Sequence, residues 1–311
     1  MGRFFESGLE RTAMKSGQLA ILGRPNVGKS TLLNALVREK VAIVSDKPQT
    51  TRMPILGVGH YPEGQLILID TPGLHTPHHR LNAQMVQSAL GILTESDVVY
   101  VLVDGQVPPG PGDQFVIDQV IQANTDRSFQ AVFLLITKAD LVAKSRLLPL
   151  IEAFKTRYPW TEIVPISAKT GVNVSRLVEL TFACLQDSGP LLYEEDFLTN
   201  QSMRQMAGEI IREKVLASTH AELPYAVGVF IEQFEETKKI TNILATILVE
   251  KDSQKGIIIG KSGRRLKEVG QLAREEMEQL FGMKIYLEMW VKVQAGWRDN
   301  PRILTDLGYG M

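Results

Sequence analysis

Residues 23–33 read GRPNVGKSTLL and follow directly on the apolar run QLAIL. The spacing GxxxxGKS limits what can stand on either side of it. Gly23 and Gly28 let the backbone curl tightly enough for successive N–H groups to point inward. Lys29 and Ser30 then open a helix whose positive end faces the same concavity. Such a loop needs a strand before it and a helix after it, and residues 19–22 and 31–37 have those compositions. A glycine-rich turn alone would carry the same glycines. The strand-loop-helix order, with Lys29 and Ser30 in place, favours a phosphate cradle lined by Gly23, Arg24, Pro25, Asn26, Val27, Gly28, Lys29, Ser30 and Thr31.

With 311 residues, 44% of them hydrophobic, the chain can bury more than one core, and two domains are expected. The formal net charge of −1 gives no global basic field, so any nucleic-acid surface must be local. The single cysteine, Cys184, lies in the helical-looking RLVELTFACLQ, which excludes an internal disulfide framework and a Cys-rich zinc site. A cytoplasmic protein is expected, because no apolar run approaches the roughly 18 residues of a membrane span. The N-terminal MGRFFESGLERTAMKSG lacks a secretory apolar region, and Glu6 stands where a myristoylation signal wants Ser or Thr. Residues 1–16 read as a tail.

From residue 17 to about 185, apolar strands alternate with amphipathic helices: QLAIL, ILGVGHY, QLILID, DVVYVLVD, AVFLLIT and EIVPIS are the strands. Phe115, Val116, Val120 and Ile121 share a helix face between two of them. Strands apolar throughout suit a mainly parallel six-stranded sheet covered on both sides, with ligands at the carboxyl ends of the strands. At those ends stand DTPG (Asp70, Thr71, Pro72, Gly73), TKAD (Thr137, Lys138, Ala139, Asp140) and SAK (Ser167, Ala168, Lys169). Asp70 is placed to hold Mg²⁺ through water, and the Gly73 N–H to meet a γ-phosphate. Asp140 can accept hydrogen bonds from N1–H and the exocyclic amine of guanine, a donor pair adenine lacks. A backbone N–H of SAK can meet guanine O6. DTPG alone is also a good turn. Four such fragments in chain order point to GTP.

These fragments resemble the translation-factor class of P-loop GTPases. The resemblance implies GTP or GDP with Mg²⁺ held by Ser30, Asp70 and a threonine of DKPQTTR (residues 46–52), Thr51 in preference to Thr50. Lys29, Thr51 and Gly73 would act in hydrolysis. Thr137 departs from the asparagine usual there, which braces the base loop against the phosphate loop, so somewhat weaker nucleotide affinity is expected. Leu74 replaces the water-orienting Gln of small signalling GTPases. GTPases of similar pattern, with an asparagine at the position of Asn26, often hold K⁺, so slow hydrolysis stimulated by K⁺ or a partner is expected.

Gly189, Pro190, the acidic residues 194–196 and the polar run after them read as a linker over 186–202. In the second domain, 203–311, a helix with Met206, Ile210, Val215 and Leu216 as core precedes two strands, YAVGVFIEQFEE and ITNILATILVEK. Between residues 255 and 267 lie five basic residues and no acidic one. Such a run is often just a solvated helix face. Here it contains IIIGKSGRRL, a GxxG turn between helical segments, and the element order resembles an α+β type II KH domain. The resemblance implies single-stranded RNA at Ile259, Gly260, Lys261, Ser262, Gly263, Arg264, Arg265 and Lys267, with Ile257, Ile258 and Ile259 as an apolar platform.

A GTPase domain followed by a KH domain resembles a family of bacterial ribosome-assembly GTPases over residues 17–309. This implies binding to the 3′ end of small-subunit ribosomal RNA on the 30S-type subunit, late subunit assembly, and peripheral contact with the inner face of the membrane. A monomer without a DNA role is expected. Two rivals were weighed. A second catalytic centre finds no support in His60, His75, His78, His79 and His220, although HTPHH could hold a metal and fits a switch loop better. A scaffold with a decayed nucleotide site sits poorly with intact Lys29, Ser30, Asp70, Gly73 and Asp140.

Overall fold

Strands that must be covered on both faces leave little room for polar residues, and the six apolar runs behave accordingly. The computed structural model describes residues 14–47, 50–74, 80–126, 128–219 and 227–309. Strands β1 (Lys15–Gly23), β2 (Ile55–Tyr61), β3 (Gly64–Asp70), β4 (Val98–Asp104), β5 (Ala131–Thr137) and β6 (Glu162–Pro165) form one sheet in the order β2-β3-β1-β4-β5-β6. Of these, β2 runs antiparallel to β3 and the other pairs are parallel. The turn between β2 and β3 demands Gly64: at φ 145°, a Cβ there would stand 1.8 Å from the Lys15 carbonyl oxygen.

The period of two along each strand divides its side chains between two cores. On β1, Leu19 and Ile21 enter the layer packed by α1 (Lys29–Val37) and α5 (Val174–Cys184). Ala20 and Leu22 enter the layer packed by α2 (Arg80–Glu95), α3 (Pro111–Asp126) and α4 (Lys144–Lys155). Each fully buried leucine or isoleucine contributes about 1.5–3 kcal/mol, so two continuous layers fix the strand ends that carry the motifs.

The second unit begins at α6 (Met203–Ser218), where the Ser202 hydroxyl accepts the Gln205 N–H and the Gln205 side chain returns to the Ser202 N–H at 2.9 Å. That reciprocal cap starts the helix sharply. Strands β7 (Gly228–Glu236) and β8 (Thr241–Val249) pair antiparallel; α7 (Asp252–Ile259), the GxxG turn and α8 (Arg264–Phe281) follow; β9 (Ile285–Val293) then joins β8 in parallel. The expected core residues Met206, Ile210, Val215 and Leu216 are all buried. Residues 225 and 226 of the first strand reading lie outside the described residues.

The segment 186–202, read from composition as a linker, is docked. It lies along β2, the edge of the six-stranded sheet: Val58 N–H donates to the Leu198 carbonyl (2.8 Å), Thr199 Oγ1 to the Leu56 carbonyl (2.6 Å), and Thr199 bridges Gly57. An edge strand leaves a row of unpaired backbone groups, and this segment satisfies several of them. Further along, α9 (Pro301–Asp306) brings Leu304 and Tyr309, with Trp297, onto Leu81 and Met85 of α2, so a small core joins the two units. Among the described residues no helix is long and apolar enough to cross a membrane.

Candidate functional site

The phosphate loop occupies the carboxyl end of β1. Asn26 adopts φ 64° and Gly28 φ 101°, left-handed conformations that turn the loop around a concavity, and a Cβ added at Gly28 would meet nothing within 4 Å. The Lys29 side chain is buried under the loop, its Nζ donating to the carbonyls of Gly23 (3.2 Å) and Arg24 (3.0 Å). Burial pushes the Lys29 ammonium down to about 8, with the Asp70 carboxylate opposing the shift. Val27 packs in the core and Arg24 pairs with Asp113 at 2.7 Å, so the loop is anchored at both ends of its arc.

Three oxygens converge beside the lysine. Ser30 Oγ lies 2.6 Å from Asp70 Oδ2 and 2.8 Å from Thr51 Oγ1, and Thr51 Oγ1 donates to Asp70 Oδ2 at 2.9 Å. Asp70 is fully buried and its Oδ1 has no hydrogen-bond partner. Burial raises its carboxyl above the usual range, while Lys29, Ser30 and Thr51 pull the other way. A hydroxyl pair and a buried carboxylate with an orphaned oxygen form a hard-oxygen donor set that fits Mg²⁺. Of the two switch threonines, Thr51 stands in this cluster. The Thr50 hydroxyl instead donates to the Lys47 carbonyl at 2.7 Å.

After Asp70, Thr71 Oγ1 donates to the Ile21 carbonyl (2.7 Å), and Pro72 leads to Gly73, whose Cβ, if present, would stand 2.7 Å from the Pro25 nitrogen. That glycine is therefore required where the segment passes the phosphate loop. Leu74 is buried against the sheet and its N–H donates to the Gly23 carbonyl at 3.2 Å. Asn26 Nδ2 donates to the Asp46 carbonyl at 2.6 Å, tying the loop to the segment before Thr51. Of HTPHH, residues 75–79 lie outside the described residues, as does residue 220; His60 faces the Phe197 carbonyl at 2.9 Å.

In the base loop, Thr137 Oγ1 donates to the Val27 carbonyl at 2.6 Å and stands 3.0 Å from that of Val103. A threonine hydroxyl at this strand end thus reaches the phosphate-loop backbone. Lys138 adopts φ 57° and pairs with Asp104 at 2.7 Å, turning the chain so that Ala139 N–H meets the Ile166 carbonyl and the Asp140 carboxylate is exposed. Ser167 N–H is committed to the Val172 carbonyl (3.0 Å), so it is not the backbone donor for a base.

The second candidate surface is the GxxG turn. Gly260 (φ 70°), Ser262 (φ 53°) and Gly263 (φ 74°) are all left-handed, and a Cβ on Gly260 would stand 2.8 Å from that of Arg265. Lys261, Ser262, Arg264 and Lys267 are exposed. The Arg265 guanidinium donates to the Ile257 carbonyl, which ties it to the end of α7 beside the turn. One expectation needs correction. Ile258 points into the core of the second unit, because helical rotation separates it from its half-buried neighbours Ile257 and Ile259.

Sequence reading missed the junction where the second unit grips the segment around Thr51. Arg212 of α6, fully buried, donates to the Thr50 carbonyl and pairs with Glu209. Glu213 accepts the Val44 N–H (2.8 Å) and Lys40 Nζ (2.8 Å), and Lys40 also reaches Glu276 of α8. Arg52 donates to the Val227 carbonyl (2.8 Å), and the rings of Trp297 and Tyr309 lie 5.5 and 5.7 Å from its guanidinium carbon. A signal existed: Arg212 and Glu213 interrupt a helix whose neighbours Ile210, Ile211 and Val215 are all core.

The sequence matches the 50S ribosome-binding GTPase family over residues 18–138 and the KH domain family over 222–298. GTPase Era of Heliobacterium modesticaldum is 48% identical over 297 residues, covering 95% of this chain and 97% of the relative. GTPase Era of Leuconostoc citreum is 45% identical over 304 residues, covering 97% and 98%. Two crystal structures, Era in complex with MgGDPNP and nucleotides 1506–1542 of 16S ribosomal RNA and an Aquifex aeolicus Era variant bound to GDP.AlF4-, each match with a TM-score of 0.90 at 40% identity, over 96% of this chain and 100% of theirs. Identity of this level across both units, joined in this order, shows that the chain belongs to the GTPase Era family.

Proposed function

We propose that this protein is a GTP-hydrolysing switch that binds the single-stranded 3′ end of small-subunit ribosomal RNA and acts in assembly of that subunit. The observation that carries the reading is the pairing, on one chain, of the Ser30, Thr51 and Asp70 oxygen cluster beside Lys29 with an exposed left-handed GxxG turn. The related Era whose structure contains MgGDPNP and 16S ribosomal RNA supports the same pairing. In this reading residues 17–185 bind the nucleotide, 186–202 strap the units together, 203–311 bind RNA, and 1–16 form a tail. The phosphate-loop residues 23–31 would hold the phosphates, residues 70–74 the γ-phosphate side, and Thr137, Lys138, Ala139, Asp140, Ser167, Ala168 and Lys169 the base. Mg²⁺ supplies charge neutralisation at the β- and γ-phosphates when bound. A cytoplasmic location, with peripheral attachment to the inner face of the membrane, belongs to the same proposal.

RNA contact would fall to Ile259, Gly260, Ser262 and Gly263 for close approach, and to Lys261, Arg264, Arg265 and Lys267 for charge. Replacing Lys261 and Arg264 by alanine should weaken an oligonucleotide of the 3′-terminal small-subunit sequence about tenfold or more and flatten its salt dependence. GTP affinity should stay unchanged. Gly263→Asp, which adds a carboxylate at a backbone position strained for L residues, should do the same more severely. Titration of the labelled oligonucleotide with a non-hydrolysable GTP analogue and with GDP tests the switch. Equal wild-type affinities in both states would leave two independent modules.

Buried Leu74 offers no hydrogen bond to an attacking water, which favours slow unaided turnover. Asn26 Nδ2 donates to the Asp46 carbonyl, so a K⁺ ion would replace this bond, with the amide turned to offer its oxygen beside that carbonyl. Turnover in K⁺ should exceed turnover in Na⁺, and Asn26→Ala should abolish the difference while leaving GDP binding in place. Equal rates in both salts would assign the missing charge to a partner.

A further inference from the structure

We propose that the KH unit holds the segment around Thr51 in its hydrolysis-competent position, with Arg212 and Glu213 as positioning residues of the GTPase reaction. The inference rests on the reading that Thr51 closes on Mg²⁺ and the γ-phosphate. In a free-standing GTPase such a segment is ordered by the nucleotide and released after hydrolysis. Here it is held from outside at two backbone positions and through one side chain. Glu213 takes the Val44 N–H at 2.8 Å, Arg212 donates to the Thr50 carbonyl, and Arg52 itself reaches across to the Val227 carbonyl at 2.8 Å.

The Arg212 contact bears most directly on the chemistry. Thr50 C=O and Thr51 N–H belong to one peptide unit, and in a trans peptide they point in opposite directions. With the carbonyl fixed toward α6, the Thr51 N–H is turned to the other side, and the Thr51 hydroxyl already reaches Ser30 and Asp70. The guanidinium cannot drift. It is fully buried, and Glu209 receives its Nε at 2.9 Å, which holds the plane that faces Thr50. Thr50, Thr51 and Arg52 are themselves buried, so water does not compete for these bonds. Lys40, just beyond α1, adds a second tie by pairing with both Glu213 and Glu276, which connects α1 to α6 and α8.

Arg212→Met in the full chain keeps length and apolar bulk while removing the donor. At saturating GTP its kcat should fall about 10- to 100-fold, the scale of a small misplacement of reacting groups. GDP affinity should stay within about threefold. Arg212→Lys should recover part of kcat, because one ammonium can still reach the Thr50 carbonyl. Thr51→Ala placed in the Arg212→Met background should cost much less than in wild type, since both act through one group. Glu213→Ala, followed by its melting temperature, gives the same kcat test should Arg212→Met fail to fold. Unchanged kcat in folded Arg212→Met, or in Glu213→Ala, overturns the proposal, as does full additivity with Thr51→Ala. If Thr51→Ala alone leaves turnover intact, the reading of Thr51 fails, a result distinct from loss of the Arg212 effect.

Discussion

Asp140→Asn should lose GTP and gain the xanthine nucleotide. The exposed carboxylate stands at the end of the β5 loop with two acceptor oxygens for the two donors of guanine. Two hydrogen bonds to a charged group, at about 1.5–3 kcal/mol each, correspond to roughly 10²- to 10⁴-fold in affinity. The amide of asparagine keeps one acceptor and presents a donor, which matches the second carbonyl of xanthine. Calorimetric titration with GDP and with xanthosine diphosphate reads both halves of the exchange. Retained GDP affinity in this variant would show that Asp140 does not read the base.

Lys29→Ala should abolish nucleotide binding and turnover together. The ammonium is held under the loop by the Gly23 and Arg24 carbonyls, so it is already aimed where phosphate oxygens must come. Removing one partner of a buried charge pair costs about 3–5 kcal/mol, or roughly 10²- to 10⁴-fold in affinity. The fold itself should persist, because burial already disfavours the lysine charge. Fluorescent-nucleotide binding and a thermal melt on the same sample separate the two effects. Wild-type affinity with a normal melt would mean that the loop binds phosphate through its backbone alone.

The strand-end motifs were legible because each is local: a short apolar run, then residues whose roles follow from the end of that run. Thr137 shows the margin of such reading, since its hydroxyl reaches the phosphate-loop backbone although the asparagine usual there is absent. Ile258 was misjudged for a different reason. In a short helix, three consecutive isoleucines cannot share a face. The docked strap and the Arg212 contact lay beyond sequence reading. Val58 meets Leu198, and Thr50 meets Arg212, across 140 and 162 residues, and no local pattern announces a partner that distant.

The small core joining the units has a temporal consequence. Leu81 and Met85 are made well before Trp297, Leu304 and Tyr309, the residues that cover them. Domains generally fold as units from the N-terminus while the chain is still growing. The nucleotide domain of a nascent chain can therefore be complete while its apolar α2 surface and Arg52 still lack their cover. Closure of the junction waits for residues 297–309 to be made, so the growing chain passes through a stage in which its first domain is folded and its junction is open.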